Sequence, residues 1–407
     1  MRLLFLCHAE IYNPFGGAAE YIQELVLELS KEHYVDAITW DTSLPYDIRK
    51  EKLHIMHFSS NRLSSGISTG KWVKNSFLRE LLSIFGFDYY RSIFTRTPIA
   101  NLNFRDLQDS YNLIIVISFE SPKLPLLLSR KFNAPVIEMP LAFGLPWYLQ
   151  NSKEWLRFIG RRSLLTSAIA KIIMRISNLF VEILEIHRLS SDHIIAISML
   201  DAVRMSSYLD QRLEYLNPTV SGSPKNYSQG TGWENLQAMF FSTPGVAASI
   251  SVEYILKISE SLNSISFVIS GAKLKDEVLK YAPKNVKFLG WLDSVEFEQV
   301  LKSSHIVLIP SIQGSGVQTK LLKALSLGKA VITTSAISRA FKNLENGTHL
   351  LIEDDPSLFI ERIRELASNA EKIRALGNNA YQYYVENFTP VLTANKFMEI
   401  VRRVLSE

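Results

Sequence analysis

The sequence predicts an α/β protein built from two doubly wound, Rossmann-like domains in tandem, on three observations. The chain has 407 residues, more than one ordinary core serves and suited to two domains of about 150 to 200 residues each. Short, almost wholly apolar runs alternate with longer helical patterns, as strands covered by helices on both faces require. A polar tract after Leu216, "NPTVSGSPKNYSQGTGWEN", is rich in Gly, Pro, Ser and Asn and marks a linker or surface loop. The expected divisions are residues 1–215, residues 216–385 and a closing helical segment, 386–407.

Taken in order, the first run, "LLFLC", reads as a buried strand; the opening stretch is too short for a signal peptide and lacks a small-residue cleavage site. "NPFGGAAEYIQELVLELSKEHYVDAITW" follows with paired glycines Gly16 and Gly17, an amphipathic helix and a second strand. Paired glycines let backbone N–H groups approach a ligand and a helix N-terminus favours an anion, although a plain strand-to-helix turn uses the same residues. "LHIMHFS", "LIIVIS", "APVIEM" and "HIIAIS" supply further strands in the first half. Ligands of doubly wound sheets bind beyond the carboxyl ends of the strands. His8 and Glu10 after the first strand, and Glu120 and Glu138 at later strand ends, therefore point to the site; His8, Glu120 and Glu138 are the candidate catalytic groups, with loop polarity or surface capping as the competing roles.

Beyond the linker the strands are "AMFFS", "ISFVIS", "VKFLG", "HIVLIP", "AVITT" and "HLLIE". Between the fourth and fifth lies "GSGVQTKLLKALSLGKAV", a glycine turn opening an amphipathic helix that stops at Gly328. Lys320 and Lys323 stand one turn apart on it, either as phosphate ligands aided by the helix dipole or as solvated charges. "PVLTANKFMEIVRRVLSE" closes the chain with helical apolar spacing at Val391, Phe397, Ile400, Val401 and Leu405.

Composition narrows the function. A net charge of +4 without a concentrated basic module argues against nucleic-acid binding. The single cysteine, Cys7, excludes an intrachain disulfide and fits a cytoplasmic setting. No apolar run reaches the roughly 20 residues of a spanning helix. The eight histidines form no pair with metal-ligand spacing, and His57, His193 and His305 fall in strand-like runs, so no metal or other cofactor is expected. Two basic stretches with apolar residues at helical spacing, "KWVKNSFLRELLSIFGFDYYRSIF" and the segment holding Arg157, Arg161, Arg162, Lys171 and Arg175, either pack on their own domain or lie in the headgroups of an anionic membrane. The second role would bring peripheral membrane contact at the inner face.

The order of elements from Phe267 to Phe388, with "GSGVQTKLLKALSLGKAVITTS" and "ENGTHLLIEDDPSLFIERIRELASNAEKIRALGNNAYQYYVENF", resembles the group 1 (family 4) glycosyltransferases of the GT-B fold. "GGAAEYIQELVLELSKEHYVDAITW" is similar to that family's first helix and second strand. The resemblance implies two Rossmann-like domains facing a cleft. The C-terminal domain would bind a nucleotide-diphosphate sugar as co-substrate and the N-terminal domain a glycan or lipid-linked acceptor, with transfer usually retaining and without an essential metal. It also implies that the final helix crosses back to the first domain. Gly290 and Trp291 would lie beside the base; Gly314, Ser315 and Gly316 beside the diphosphate and sugar; Gly16 and Gly17 across from them.

The departures from the family pattern are equally specific. Its two glutamates, eight positions apart, fall on Ser315 and Lys323, and its phosphate-binding arginine and lysine fall near Thr243 and Ala248. Its frequent N-domain histidine falls close to Leu141. An ammonium group only donates hydrogen bonds, so Lys323 does not replace a glutamate on a ribose hydroxyl. Two readings follow: a glycosyltransferase, serving cell-surface polysaccharide or glycoconjugate synthesis, whose phosphate site has moved to Lys320 and Lys323, or a non-catalytic GT-B scaffold or regulatory partner. An epimerase of the same architecture ranks behind both.

Overall fold

The computed structural model describes residues 1–7, 17–41, 46–59, 107–117, 124–140, 189, 191–209, 213–222, 236–242, 246–271, 282–311 and 318–406. The two basic stretches, His8, Glu10, Gly16, Glu120, Leu141, Thr243, Gly314, Ser315 and Gly316 lie outside the described residues. The chain forms two compact units, Met1–Leu216 together with Ala394–Glu407, and Asn217–Thr393.

Unit 1 holds an eight-stranded sheet in the order β3-β4-β2-β1-β5-β6-β7-β8. Its strands are β1 (Arg2–Cys7), β2 (Tyr34–Asp41), β3 (Tyr46–Lys50), β4 (Leu53–Ser59), β5 (Leu113–Ile117), β6 (Val136–Glu138), β7 (His193–Ala196) and β8 (Leu213–Tyr215). All pair in parallel except β3, which runs antiparallel to β4 at the edge. Helices α1 (Gly17–Leu29), α2 (Leu124–Phe132) and α3 (Met199–Ser206) belong to the same unit. Successive residues of β1 serve opposite faces: Leu4 and Leu6 join Ile38, Met56, Ile114, Val116, Leu128 and Phe132, whereas the Phe5 ring meets Phe397 at 6.1 Å. Phe397 belongs to the final helix, α10 (Pro390–Val404), whose Arg403 pairs with Glu214 of β8 at 2.8 Å. Both faces are thus covered, which is why the strands read as unbroken apolar runs.

Unit 2 repeats the arrangement in a six-stranded parallel sheet, β11-β10-β9-β12-β13-β14. Its strands are β9 (Gln237–Phe241), β10 (Ser266–Ser270), β11 (Val286–Gly290), β12 (Ile306–Ile309), β13 (Ala330–Thr333) and β14 (Leu351–Ile352). The helices are α4 (Val246–Ser259), α5 (Ser294–Ser303), α6 (Thr319–Ser326), α7 (Ser335–Ser338), α8 (Pro356–Ala367), α9 (Ala370–Asn387) and the start of α10 (Pro390–Val404). Alternation along the strands builds two cores. Met239, Phe241, Val307, Ile309 and Val331 pack with Leu321, Leu322, Ala324 and Leu325 of α6 and with Tyr383 and Tyr384 of α9. Ala238, Phe240, Ile306, Leu308 and Ile332 face the other way, toward Val252, Ile255 and Ile258 of α4 and Phe359, Ile363 and Leu366 of α8.

Helix ends carry local sequence signals. Asp293 caps α5 in a reciprocal box with Glu296, and Asp355 caps α8 before Pro356. The far end of α5 is closed by a buried lysine, Lys329, which donates to the carbonyls of Lys302 at 2.6 Å and Ser304 at 2.9 Å. Burial, and secondarily the charge of Lys302, lower its pKa to about 7. Among the described residues no helix is long and apolar enough to cross a membrane, and no cluster of three or more His, Cys, Asp or Glu residues is arranged to hold a metal ion.

Gly377 sits mid-helix in α9, where glycine costs about 1 kcal/mol against alanine. A Cβ there would lie 2.3 Å from the Gly328 carbonyl oxygen, so the absent side chain lets α9 close on the turn that follows α6. Gly377→Ala is expected to lower stability by about 1–3 kcal/mol in urea unfolding, because overpacking against backbone outweighs the helix-propensity gain.

Candidate functional site

In unit 2 the sheet order places β9 beside both β10 and β12, so the strand sequence reverses direction between β9 and β12. That reversal opens a crevice beyond the carboxyl ends of those two strands, the usual ligand site of a doubly wound sheet. Ser242 is the residue immediately after β9, and Ser311 lies just beyond β12.

The crevice receives one ammonium group from α6. Lys320 lies in the first turn of that helix, whose buried residues Leu321, Leu322, Ala324 and Leu325 fix it on the core. Its Nζ donates to Ser242 Oγ at 2.8 Å and stands 5.9 Å from the centre of the Phe240 ring. Phe240 belongs to the core on the opposite face from α6, so the lysine reaches over the end of β9 to make these contacts. Burial lowers its pKa from the ordinary 10.5 to about 8. Among the described residues no carboxylate pairs with it. A hydroxyl and a ring face only partly offset the loss of water around an ammonium group, and an anion placed there would offset more of it.

Ser242 is held in place by the neighbouring strand ends. Its N–H donates to the Ser270 carbonyl at 3.2 Å, Gly271 N–H to the Gly290 carbonyl at 2.6 Å, and Ser270 Oγ–H to the same Gly290 oxygen at 3.2 Å. Gly271 has φ +78°, and a Cβ on it would lie 2.2 Å from the Ser242 carbonyl oxygen. Across the crevice, Thr334 Oγ1 donates to the Ser311 carbonyl, Thr333 Oγ1 to the Ile309 carbonyl at 3.1 Å, and Asp354 accepts from Ser335 N–H at 2.8 Å. That bond, with the Ser335 hydroxyl, holds the Asp354 carboxyl below its usual range.

Lys323, one turn along α6, serves a different neighbour. Its Nζ donates to the Ser221 carbonyl at 3.2 Å and approaches Ser221 Oγ at 3.4 Å. The segment around Ser221 is tied to α9 and its end as well, by Tyr384 Oη donating to the Val220 carbonyl at 2.8 Å and Thr219 Oγ1 to the Phe388 carbonyl at 2.6 Å.

Of the other residues singled out from sequence, Gly290 has φ +64° with open space where a Cβ would be, and Trp291 after it is 54 % exposed. Gly17 is the first residue of α1. Glu138 ends β6 and is buried. Ala248, where the family's second phosphate cation would fall, is buried. His57 is also buried, its Nδ1 2.7 Å from Thr39 Oγ1 and its ring stacked on Tyr46 at 4.6 Å; the His305 Nδ1 accepts from Gln237 N–H at 3.1 Å. Ser242 was not among the residues anticipated; a serine closing the first strand of the second domain, in "AMFFS", was its only sequence signal.

Residues 251–369 match the family described as Glycosyl transferases group 1. An uncharacterized glycosyltransferase of Methanocaldococcus jannaschii is 24% identical over 135 residues, 33% of this chain and 34% of the relative. That alignment spans about a third of the curated relative's length. Among solved structures, sucrose-phosphate synthase from Thermosynechococcus elongatus is similar over 100% of this chain and 99% of its own, with a TM-score of 0.68 at 14% identity. HepE of Anabaena, in complex with UDP-glucose, is similar over 99% and 100% of the two chains, with a TM-score of 0.58 at 13% identity. WaaG, a glycosyltransferase involved in lipopolysaccharide biosynthesis, is similar over 98% and 99%, with a TM-score of 0.60 at 14% identity. The chain has the GT-B fold, and the group 1 glycosyltransferase match falls within unit 2, which carries Lys320.

Two outcomes follow. Gly271→Ala, which combines a left-handed backbone with a clash against Ser242, is expected to cost about 1–3 kcal/mol in chemical denaturation. Below pH 8 Lys320 is charged in the folded and unfolded chain alike, and the full cost of burying the ammonium is present. Between about 8 and 10.5 the folded chain gives up that proton while the unfolded chain keeps it, so stability rises with pH. Lys329 adds a rise of the same sign from about pH 7. Unfolding of Lys320→Met across this range is expected to show a shallower rise than the parent.

Proposed function

We propose that the chain is a glycosyltransferase that moves a sugar from a nucleotide-diphosphate-sugar donor, bound by unit 2, to a glycan or lipid-linked acceptor bound by unit 1. The observation that carries this reading is the partly buried Lys320 ammonium at the switch point of a unit whose residues 251–369 match group 1 glycosyltransferases. An anionic group at the carboxyl ends of β9 and β12 would meet a charged donor and the Ser242 hydroxyl, while Gly290 leaves room beside the exposed Trp291 for a base. The UDP-glucose bound by HepE supports a nucleotide sugar as the donor class.

The reaction is read as retaining. The bond between the sugar's anomeric carbon and the donor phosphate oxygen breaks, a bond to the acceptor oxygen forms on the same face, and the acceptor proton passes to the leaving phosphate. A lysine that stabilises the departing diphosphate lowers the barrier, because charge grows there in the transition state. A separate carboxylate base is unnecessary on this route, which leaves His8, Glu120 and Glu138 as candidates for acceptor contacts. The reaction is read as cytoplasmic, at the inner face of the membrane, and the likeness to WaaG, a glycosyltransferase involved in lipopolysaccharide biosynthesis, supports that reading.

Isothermal titration with UDP, ADP, GDP and their glucose conjugates tests the reading, followed by detection of released diphosphate on adding lipid-linked acceptors. Binding of at least one nucleotide sugar and acceptor-dependent release of its diphosphate is the expected result. Failure of every nucleotide to bind would refute it and leave a non-catalytic role for the fold.

A further inference from the structure

We infer that Lys320, seated on Ser242, is the cation that takes the donor diphosphate in this chain, and that Lys323 has passed from the site to the scaffold. The inference rests on the donor reading above and deepens it, separating two lysines that the sequence leaves equivalent.

The first argument is position. A cation placed just after β9 would arise near Thr243 and Ala248, and neither residue is charged. The Lys320 ammonium comes to the same strand end from the other wall of the crevice, at hydrogen-bond distance from Ser242, the residue before Thr243. The second is availability. The hydrogen bond of Lys320 is to a neutral hydroxyl, and among the described residues no carboxylate pairs with it. Ser242 Oγ, accepting from the lysine, keeps its own proton to donate, and the pair therefore offers N–H and O–H donors to adjacent phosphate oxygens. The third is the contrast one turn away. Lys323 Nζ bonds the Ser221 carbonyl, in a segment also held by Tyr384 and Phe388, so it helps to anchor the entry to unit 2.

Burial adds a thermodynamic signature. With its pKa near 8 when no anion is bound, Lys320 is largely neutral at pH 8.5, and a diphosphate beside it holds the proton on. Diphosphate binding at that pH therefore takes up a fraction of a proton beyond what the nucleoside without phosphates takes up.

Titration calorimetry with UDP and with uridine decides the matter, at pH 7 for affinities and at pH 8.5 in two buffers of different ionisation enthalpy for protons. Lys320→Met is expected to weaken UDP binding by about tenfold or more, with uridine unchanged and Lys320→Arg intermediate. Lys323→Met is expected to stay within about twofold of the parent for UDP. Equal UDP binding by Lys320→Met and the parent, or a loss at Lys323→Met as large as at Lys320→Met, would overturn the inference. Proton uptake by the parent protein needs no variant, and its absence on UDP binding would overturn the inference even if Lys320→Met fails to fold. A parent that binds UDP without proton uptake leaves the donor reading standing, whereas a parent that binds no nucleotide removes both.

Discussion

The site in unit 2 depends on one energetic feature: an ammonium group stands partly buried at the end of a buried strand, and its partners among the described residues are a hydroxyl and an aromatic face. Such an arrangement lowers the stability of the protein by itself, since desolvating a charge costs more than one neutral hydrogen bond returns. Folds tolerate that cost where a ligand recovers it. The depressed pKa of Lys320 expresses the same cost in protons, and in the proposed function an incoming anion recovers it.

The rest of unit 2 keeps that group where it is. Alternating residues on β9 commit Met239 and Phe241 to the face under α6, and Ala238 and Phe240 to the face under α4 and α8, which fixes the strand end between two packed layers. The bonds linking Ser242, Ser270, Gly271 and Gly290 join the ends of three strands into a ledge, and Gly271 permits an approach that any side chain would block. On the helix side, the core residues Leu321, Leu322, Ala324 and Leu325, interrupted only by Lys323, set the rotation of α6 and direct Lys320 toward the ledge. Binding groups held on rigid elements in this way lose little freedom when a ligand arrives.

Much of the fold was legible because strands buried on both faces are nearly all apolar: "LIIVIS", "HIVLIP" and "AVITT" match β5, β12 and β13 closely. The two edge strands of unit 1 were not. β3, "YDIRK", has an antiparallel partner on one side only and an exposed, charged pattern, and β8 is three half-buried residues, so neither produces an apolar run. The stop of α6 was legible in Gly328, which takes φ +62°. The distinction between Lys320 and Lys323 was not, because it is settled by partners 78 and 102 residues away in the chain, Ser242 and Ser221. Spacing on a helix shows that two lysines share a side; only the fold shows that one overhangs a strand end and the other braces a linker. The glycines and acids expected near the ligand, His8, Gly16, Glu120 and Gly314 to Gly316, fall outside the described residues, so the candidate site is drawn from its cationic wall.

The most direct measurement is a crystal structure of the chain with a nucleoside diphosphate bound. The account predicts a phosphate oxygen within about 3 Å of Lys320 Nζ, the distance of a charge-assisted hydrogen bond, with Ser242 Oγ as a second donor and Lys323 still on the Ser221 carbonyl. A diphosphate held elsewhere, or one drawn to Lys323 with Lys320 left on Ser242 alone, would contradict it.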